Sequence, residues 1–305
     1  MSAEGAKSAT VIGLGSMGLG MARSMQRAGL DVTGFDNNTT AAIAFSSAGG
    51  RTAPDVATAA AGRAIVVTVV VNSAQTRAVL FGPDGAAKHM APGGVIISCA
   101  TMAPDDARAL ARDAEAVGLN YLDAPISGGA AKAAAGQLVV MASGTPKAFA
   151  LAQPALDAMA AKVYELGDSA GLGASFKMVN QLLAGVHIAA ACEAITFAAR
   201  LGLDLGKVHE VISASAGNSW MFENRVPHIL DGDYSPRSAV SIFTKDLGII
   251  SDMSRREKFP LPVAAIALQQ FLATAAAGME SDDDTSVARM IADLTGVSLP
   301  ARKKA

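Results

Sequence analysis

The segment Gly13-Leu14-Gly15-Ser16-Met17-Gly18 lies between a β-branched run, Thr10-Val11-Ile12, and an amphipathic stretch, Met17–Ala28. A strand that enters a glycine turn and leaves it as a helix restricts the fold more than any other feature of this chain. The first glycine permits the tight turn, the second lets a pyrophosphate approach the backbone, and the third lets helix and strand pack closely. Free N–H groups at the helix start then hold the anion. Gly13, Leu14, Gly15, Ser16, Met17 and Gly18 are therefore candidate contacts for a dinucleotide. The next strand ends Thr33-Gly34-Phe35-Asp36, and Asp36 stands where an acid accepts hydrogen bonds from the adenosine ribose. A carboxylate there repels a 2′-phosphate, and no arginine follows it directly, so NAD is expected over NADP.

The first half of the chain continues in the same manner. Strands are expected at Ala9–Ile12, Asp31–Phe35, Ile65–Val70, Gly94–Ser98, Asn120–Asp123, Gln137–Ala142 and Lys162–Glu165, with helical patterns such as Pro104–Val117 between them. Alternation of this kind implies a doubly wound, mostly parallel α/β sheet. After about Gly167 the β-branched runs stop. Long Ala/Leu/Met-rich segments follow at 174–201, 205–214, 240–257, 262–277 and 284–294. The expectation is a dinucleotide-binding domain over residues 1–166 and an all-α domain over 167–305, joined by one long interdomain helix. The small residues of that helix, among them Ala184, Gly185 and Ala189, allow close packing and suit a homodimer or homotetramer.

Charge and composition remove several function classes. With 305 residues, 51% hydrophobic, the chain can bury two cores. A formal net charge of −2 gives no electrostatic footprint for nucleic acid. Arg302, Lys303 and Lys304 read as a soluble terminus. No apolar run precedes the first motif, so no secretory signal is expected, and no uninterrupted apolar run approaches the roughly 20 residues of a membrane span. Cys99 and Cys192 read as buried free thiols in a reducing cytoplasm. The four histidines lack metal-ligand spacing, so no metal is expected. Asp282-Asp283-Asp284 reads as a solvated run that caps the last helix.

Three further segments carry chemistry: Asp123-Ala124-Pro125-Ile126-Ser127-Gly128-Gly129, Gly171-Leu172-Gly173-Ala174-Ser175-Phe176-Lys177-Met178-Val179-Asn180, and Lys245-Asp246-Leu247. Read from the residues alone, Ser127-Gly128-Gly129 offers a hydroxyl and backbone donors to an anion, or is a plain β-turn. Lys177 and Asn180 share a helix face, and a lysine on an apolar helix either snorkels to solvent or meets a partner. Lys245-Asp246 reads equally well as a solvated pair.

Taken with the N-terminal glycine turn, these four motifs resemble the β-hydroxyacid dehydrogenase family, which includes 3-hydroxyisobutyrate dehydrogenases and tartronate semialdehyde reductases. The resemblance covers nearly the whole chain. It implies a Rossmann domain, a helical domain and Lys177 as the acid/base. It also implies that Ser127, Gly128 and Gly129 bind a substrate carboxylate, that Asn180 orients the substrate, and that Thr101 and Lys245 lie near the cofactor. The segment Gly217–Arg225 resembles the L-threonate dehydrogenase branch, and Trp220 and Phe222 in it either flank a substrate loop or fill core at a helix start. Many members carry two asparagines where this chain has Asn180-Gln181, so Gln181 inherits no role. The reaction implied is NAD-dependent oxidation of a small hydroxy acid: L-threonate at C2, or alternatively 3-hydroxyisobutyrate, or tartronate semialdehyde in the reverse sense. A catalytically silent dinucleotide-binding scaffold would be expected to lack Lys177. A 6-phosphogluconate dehydrogenase would need a basic cluster for the sugar phosphate.

Overall fold

The computed structural model describes residues 8–301, so Arg302, Lys303 and Lys304 lie outside the described residues. Its chain divides into two compact units, Met1–Met178 and Val179–Ala305. The division falls inside a helix, later than the compositional boundary at 166/167.

Unit 1 is built on β1 (Ser8–Ile12), α1 (Gly18–Arg27), β2 (Asp31–Phe35), α2 (Thr39–Ser46), β3 (Arg51–Thr52), α3 (Val56–Ala60), β4 (Ile65–Thr68), α4 (Ser73–Phe81), β5 (Val95–Ser98), α5 (Pro104–Ala116) and β6 (Asn120–Asp123). The six strands form one sheet in the order β3-β2-β1-β4-β5-β6, and every pair is parallel. Side chains on successive strand residues point to opposite faces. Val11, Val67, Ile97 and Leu122 accordingly enter one apolar layer, while Ile12, Val66, Ile96 and Tyr121 enter the other. All eight are at most 4% exposed, so both faces are covered, as a parallel sheet requires. Each fully buried aliphatic side chain contributes about 1.5–3 kcal/mol.

A second sheet departs from the single sheet expected. It comprises β7 (Ile126–Ser127), β8 (Leu138–Ala142) and β9 (Ala160–Glu165), with α6 (Gly129–Ala135) and α7 (Pro146–Met159) intervening. β7 runs antiparallel to β8, and β9 parallel to it. β3 and β7 have two residues each, too few to show a period in sequence. The apolar run after Ile65 leaves the sheet at Thr68, and Val71 is 46% exposed.

The long helix is α8 (Leu172–Arg200), of 29 residues. Unit 2 continues with α9 (Leu205–Ser213), α10 (Trp220–Asp231), α11 (Val240–Glu257), α12 (Pro262–Thr274), a π-helical turn at Ala275–Met279, and α13 (Ser286–Thr295). α10 is legible in sequence only as a helix start at Trp220 and Phe222, because Pro227 interrupts its pattern. Its ends were readable all the same: Ser219 accepts from Phe222 N–H at 3.0 Å, and Gly232 closes the helix at φ 61°.

Polar residues such as Asn180, Gln181 and His187 interrupt the apolar runs, as expected, but leave the mean hydropathy high: by length and composition Leu172–Arg200 and Pro262–Met279 could cross a membrane, and half of the most apolar window of α8 is buried inside the protein. Two readings of charge need correction. Asp283 and Asp284 are not solvated; both are 0% exposed, and only Asp282 keeps a surface partner, Arg289, at 2.7 Å. Lys245-Asp246 is not a solvated pair either, because Asp246 is 0% exposed. Cys99 and Cys192 are buried and free. Burial, then the nearby Asp123 charge, pushes the Cys99 thiol up to about 12, which makes it inert.

Candidate active site

The strand order reverses between β1 and β4, and in open α/β sheets ligands bind at such a switch point, beyond the carboxyl ends of the strands. The glycine turn leaves β1 there. Gly13 has φ 96°, and a Cβ on it would stand 2.7 Å from the Val69 carbonyl oxygen. A Cβ on Gly18 would stand 1.8 Å from the Gly13 carbonyl oxygen, so neither position accepts a side chain. Gly15 is different: it is exposed, and a Cβ there would meet nothing within 4 Å. Met17 caps α1 without a side-chain hydrogen bond, and the first turn carries no acid. The first turn of a helix leaves N–H groups without intrahelical partners, and with open space at Gly15 beside it the turn fits a pyrophosphate. Asp36 stands beside it. Its Oδ2 accepts from Leu14 N–H at 2.6 Å and its Oδ1 from Asn38 N–H at 2.7 Å, so the carboxylate is fixed and keeps lone pairs for ribose hydroxyls. Thr101, half-buried, follows β5 at the same end of the sheet.

The Gly171-Leu172-Gly173 motif starts α8, and both glycines have a physical reason. Gly171 has φ 103°, and a Cβ on Gly173 would stand 2.4 Å from the Met141 carbonyl oxygen. The helix start is held by Asp123, which sequence reading placed in a motif without a role. Its Oδ2 accepts from Gly171 and Ala174 N–H, both at 2.9 Å, and from the Ser143 hydroxyl at 3.3 Å. Ser143 Oγ accepts in turn from Gly173 N–H at 2.9 Å. Burial pushes the Asp123 carboxyl above its ordinary range; the Ala174, Gly171 and Ser143 donors oppose that shift. An acid at a helix N-terminus also meets the positive end of the helix dipole.

This anchoring positions Lys177. The side chain is 7% exposed, and its Nζ donates to the Ile126 carbonyl oxygen at 2.8 Å. It does not snorkel. Ile126 immediately precedes Ser127-Gly128-Gly129, where both glycines hold left-handed backbone, φ 138° and 78°. The segment is thus the end of β7 turning into α6, and not a simple β-turn. The structure brings Lys177 together with the strand that carries Ser127, Gly128 and Gly129.

The remaining candidates lie in unit 2. Asn180 Nδ2 donates to Gln181 Oε1 at 2.9 Å, Gln181 Nε2 donates to Asp246 Oδ2 at 2.5 Å, and Lys245 Nζ pairs with Asp246 Oδ1 at 2.6 Å. Trp220 is 50% exposed on the first turn of α10. Phe222 is 4% exposed and stacks on His209 with ring centroids 5.9 Å apart, so it packs into unit 2 and does not flank an open loop. Gln181 and Asp246 had no role in the sequence reading. Their link spans 65 residues, and no local pattern encodes it.

Known proteins share this sequence pattern and this fold. Residues 8–167 match the model of the NAD-binding domain of 6-phosphogluconate dehydrogenase, and residues 171–291 match that of NADP-dependent 3-hydroxyisobutyrate dehydrogenase. An L-threonate dehydrogenase of Cupriavidus necator is 49% identical over 292 residues, which cover 96% of this chain and 97% of the relative. A solved 3-hydroxyisobutyrate dehydrogenase from Salmonella typhimurium shares 47% identity at a TM-score of 0.89, covering 93% of this chain and 99% of that one. Psf3, solved in complex with NADP+ and 2-OPP, shares 25% identity at a TM-score of 0.86, with 93% and 99% covered. Motif, fold and relatives converge, and the chain belongs to the β-hydroxyacid dehydrogenases of the 3-hydroxyisobutyrate dehydrogenase type, NAD(P)-dependent oxidoreductases.

Proposed function

We propose that this protein oxidises L-threonate at C2 to 2-oxo-tetronate with NAD, using Lys177 as the acid/base. The observation that carries the chemistry is the 2.8 Å bond from Lys177 Nζ to the carbonyl oxygen of Ile126, the residue next to Ser127. A buried amine fixed beside a turn suited to a carboxylate can reach a hydroxyl on the neighbouring carbon. The substrate assignment draws on the 49% identity to an L-threonate dehydrogenase. Gly13, Gly15, Gly18 and Asp36 would hold the dinucleotide. A dinucleotide held there would supply the acceptor for the hydride that leaves C2. Ser127 Oγ and the backbone of Gly128 and Gly129 bind and orient the carboxylate. Lys177, in its neutral form, takes the C2 hydroxyl proton as the carbonyl forms. Its bond to the Ile126 carbonyl fixes where the nitrogen sits, and positioning of this kind lowers the barrier without new chemistry. Cys99 and Cys192, both free, suit a reducing cytoplasm. Association of identical chains is part of the reading, supported by Val179, Leu183 and Phe197 of α8, which are 48–64% exposed.

The test is NAD reduction with L-threonate, D-erythronate, 3-hydroxyisobutyrate and glycerate. L-Threonate is expected to give the highest kcat/KM, and its methyl ester to be a poor substrate. A preference for any of the other three acids would reject the substrate assignment. Equal turnover of acid and ester would reject the carboxylate turn.

Cofactor choice is expected to rest on Asp36. NAD should be favoured over NADP in kcat/KM, because a carboxylate held beside the adenosine ribose would repel a 2′-phosphate. Asp36→Ala should narrow that ratio. Steady-state kinetics with both cofactors measures it, and a preference for NADP in the parent protein refutes the assignment.

A further inference from the structure

Asp246 is a carboxylate with no exposed surface, on a helix face whose neighbours Phe243 and Leu247 are also buried. A buried charge of this kind costs several kcal/mol in desolvation, and apolar residues of similar size usually pack as well or better. Its partners explain its presence. A carboxylate only accepts hydrogen bonds, so the Gln181 amide must turn its Nε2 toward Asp246 Oδ2. That orientation puts Gln181 Oε1 toward Asn180, and Asn180 must answer with Nδ2, as the 2.9 Å bond between them requires. The direction of each hydrogen bond follows from the one charge at its end. Asn180 consequently offers Oδ1 as an acceptor for a substrate hydroxyl. The other oxygen of Asp246 holds Lys245 at 2.6 Å.

We propose that Asp246 and Gln181 are positioning residues of the dehydrogenase reaction: the buried carboxylate, relayed through the Gln181 amide, sets the orientation of Asn180 toward the substrate and fixes the Lys245 ammonium. The inference rests on the reading above that Asn180 serves the substrate. It assigns to Gln181 the role that the family's usual asparagine left open, and to Asp246 a role beyond that of a counter-ion.

A double-mutant cycle on kcat/KM tests it, with NAD and whichever of the four acids turns over fastest. Gln181→Met keeps the side-chain length and volume, removes both hydrogen bonds and leaves the Asp246–Lys245 pair intact. Misorientation of a substrate-positioning group costs up to about 100-fold, so Gln181→Met and Asp246→Asn should each lower kcat/KM by about 10- to 100-fold. In an Asn180→Ala background, Gln181→Met should have little further effect, because the group it orients is gone. Asp246→Asn should retain only the part that acts through Lys245. Thermal midpoints are measured alongside; if Asp246→Asn does not fold, Gln181→Met decides alone. A merely structural role predicts lower midpoints and losses that multiply across the cycle, and that result overturns the proposal. Normal kinetics in Gln181→Met also overturns it. Normal kinetics in Asn180→Ala refutes the reading of Asn180 itself, and the relay with it, which separates the two failures.

Discussion

Lys177→Ala is expected to lower kcat/KM by about 10²- to 10⁴-fold, the usual cost of losing a general base. NAD affinity should stay within about tenfold, or 1.4 kcal/mol. The two effects separate because the lysine and the phosphate cradle are held by different parts of unit 1. Lys177 hangs from α8 and donates to Ile126 O. The cradle is made by Gly13, Gly15 and Gly18 at the start of α1, with Asp36 fixed to Leu14 N–H. Removing the amine touches none of these. A buried lysine kept only for structure would give a different signature, with near-normal rates and a lower thermal midpoint. Turnover within a few-fold of the parent, in a folded variant, would therefore refute Lys177 as the base. Calorimetric titration with NAD supplies the other half of the measurement.

Arg225→Ala should produce the largest loss of stability. Arg225 Nε donates to both oxygens of Asp284, at 2.9 and 3.1 Å, and the carboxylate is 0% exposed. Breaking a buried pair by removing one partner costs about 3–5 kcal/mol, because the remaining charge has no compensation. The loss should depend on pH. Burial pushes Asp284 up to about 6, aided by the Asp283 charge and opposed by Arg225. An acid raised in the folded state stabilises fully below its unfolded value of 3.8, and that contribution fades as pH rises through about 6. Without Arg225 the carboxyl is pushed up further, so at pH 5 it takes a proton readily and sheds the lone buried charge, a relief that shrinks as pH rises toward 8. The thermal midpoint of the variant should therefore fall by on the order of 10 °C at pH 8 and by clearly less at pH 5. A uniform or negligible shift across that range would show that the pair carries no buried charge. Asp283, next to it, behaves oppositely. Burial raises it, but His228, Thr285 and the Arg237 N–H outweigh burial and hold it at about 2.

These two sites differ in how far the sequence discloses them. The phosphate cradle is legible because its constraints are local: a Cβ at Gly13 or Gly18 collides within the turn or with the strand beside it. The start of α8 is legible for a related reason, since Gly171 and Gly173 stand where a side chain would be strained or collide; the role of Lys177 on it came only from the resemblance of the motifs. The acidic run at 282–284 misleads, because consecutive aspartates look solvated until a distant arginine and histidine meet them. Arg225 reaches Asp284 across 59 residues, and His228 reaches Asp283 across 55. Asp246 misleads in the same way: in sequence it is half of a Lys-Asp pair, and in the fold it has no exposed surface. Charge in sequence predicts solvent only where nothing remote is complementary. Phe222 shows the converse, an aromatic in a motif-like segment that serves the interior through His209.

The seam between the two compact units runs through α8, after Met178, and this bears on how members of the family can exchange halves. A crossover at 166/167, where composition changes, would pair the Asp123 of one parent with the Gly171 and Ala174 amides of another, and its Ile126 carbonyl with a foreign Lys177. The helix start and the lysine would then be borrowed from a chain that did not evolve with that carboxylate and carbonyl. A crossover just after Met178 keeps the carboxylate, its amides, the carbonyl and the lysine from a single parent, and joins helix to helix where the backbone bonds repeat regardless of side chain. Chimeras joined there would take the lysine and the turn beside it from the first parent as one block, and the linked Asn180, Gln181, Asp246 and Lys245 from the second as another.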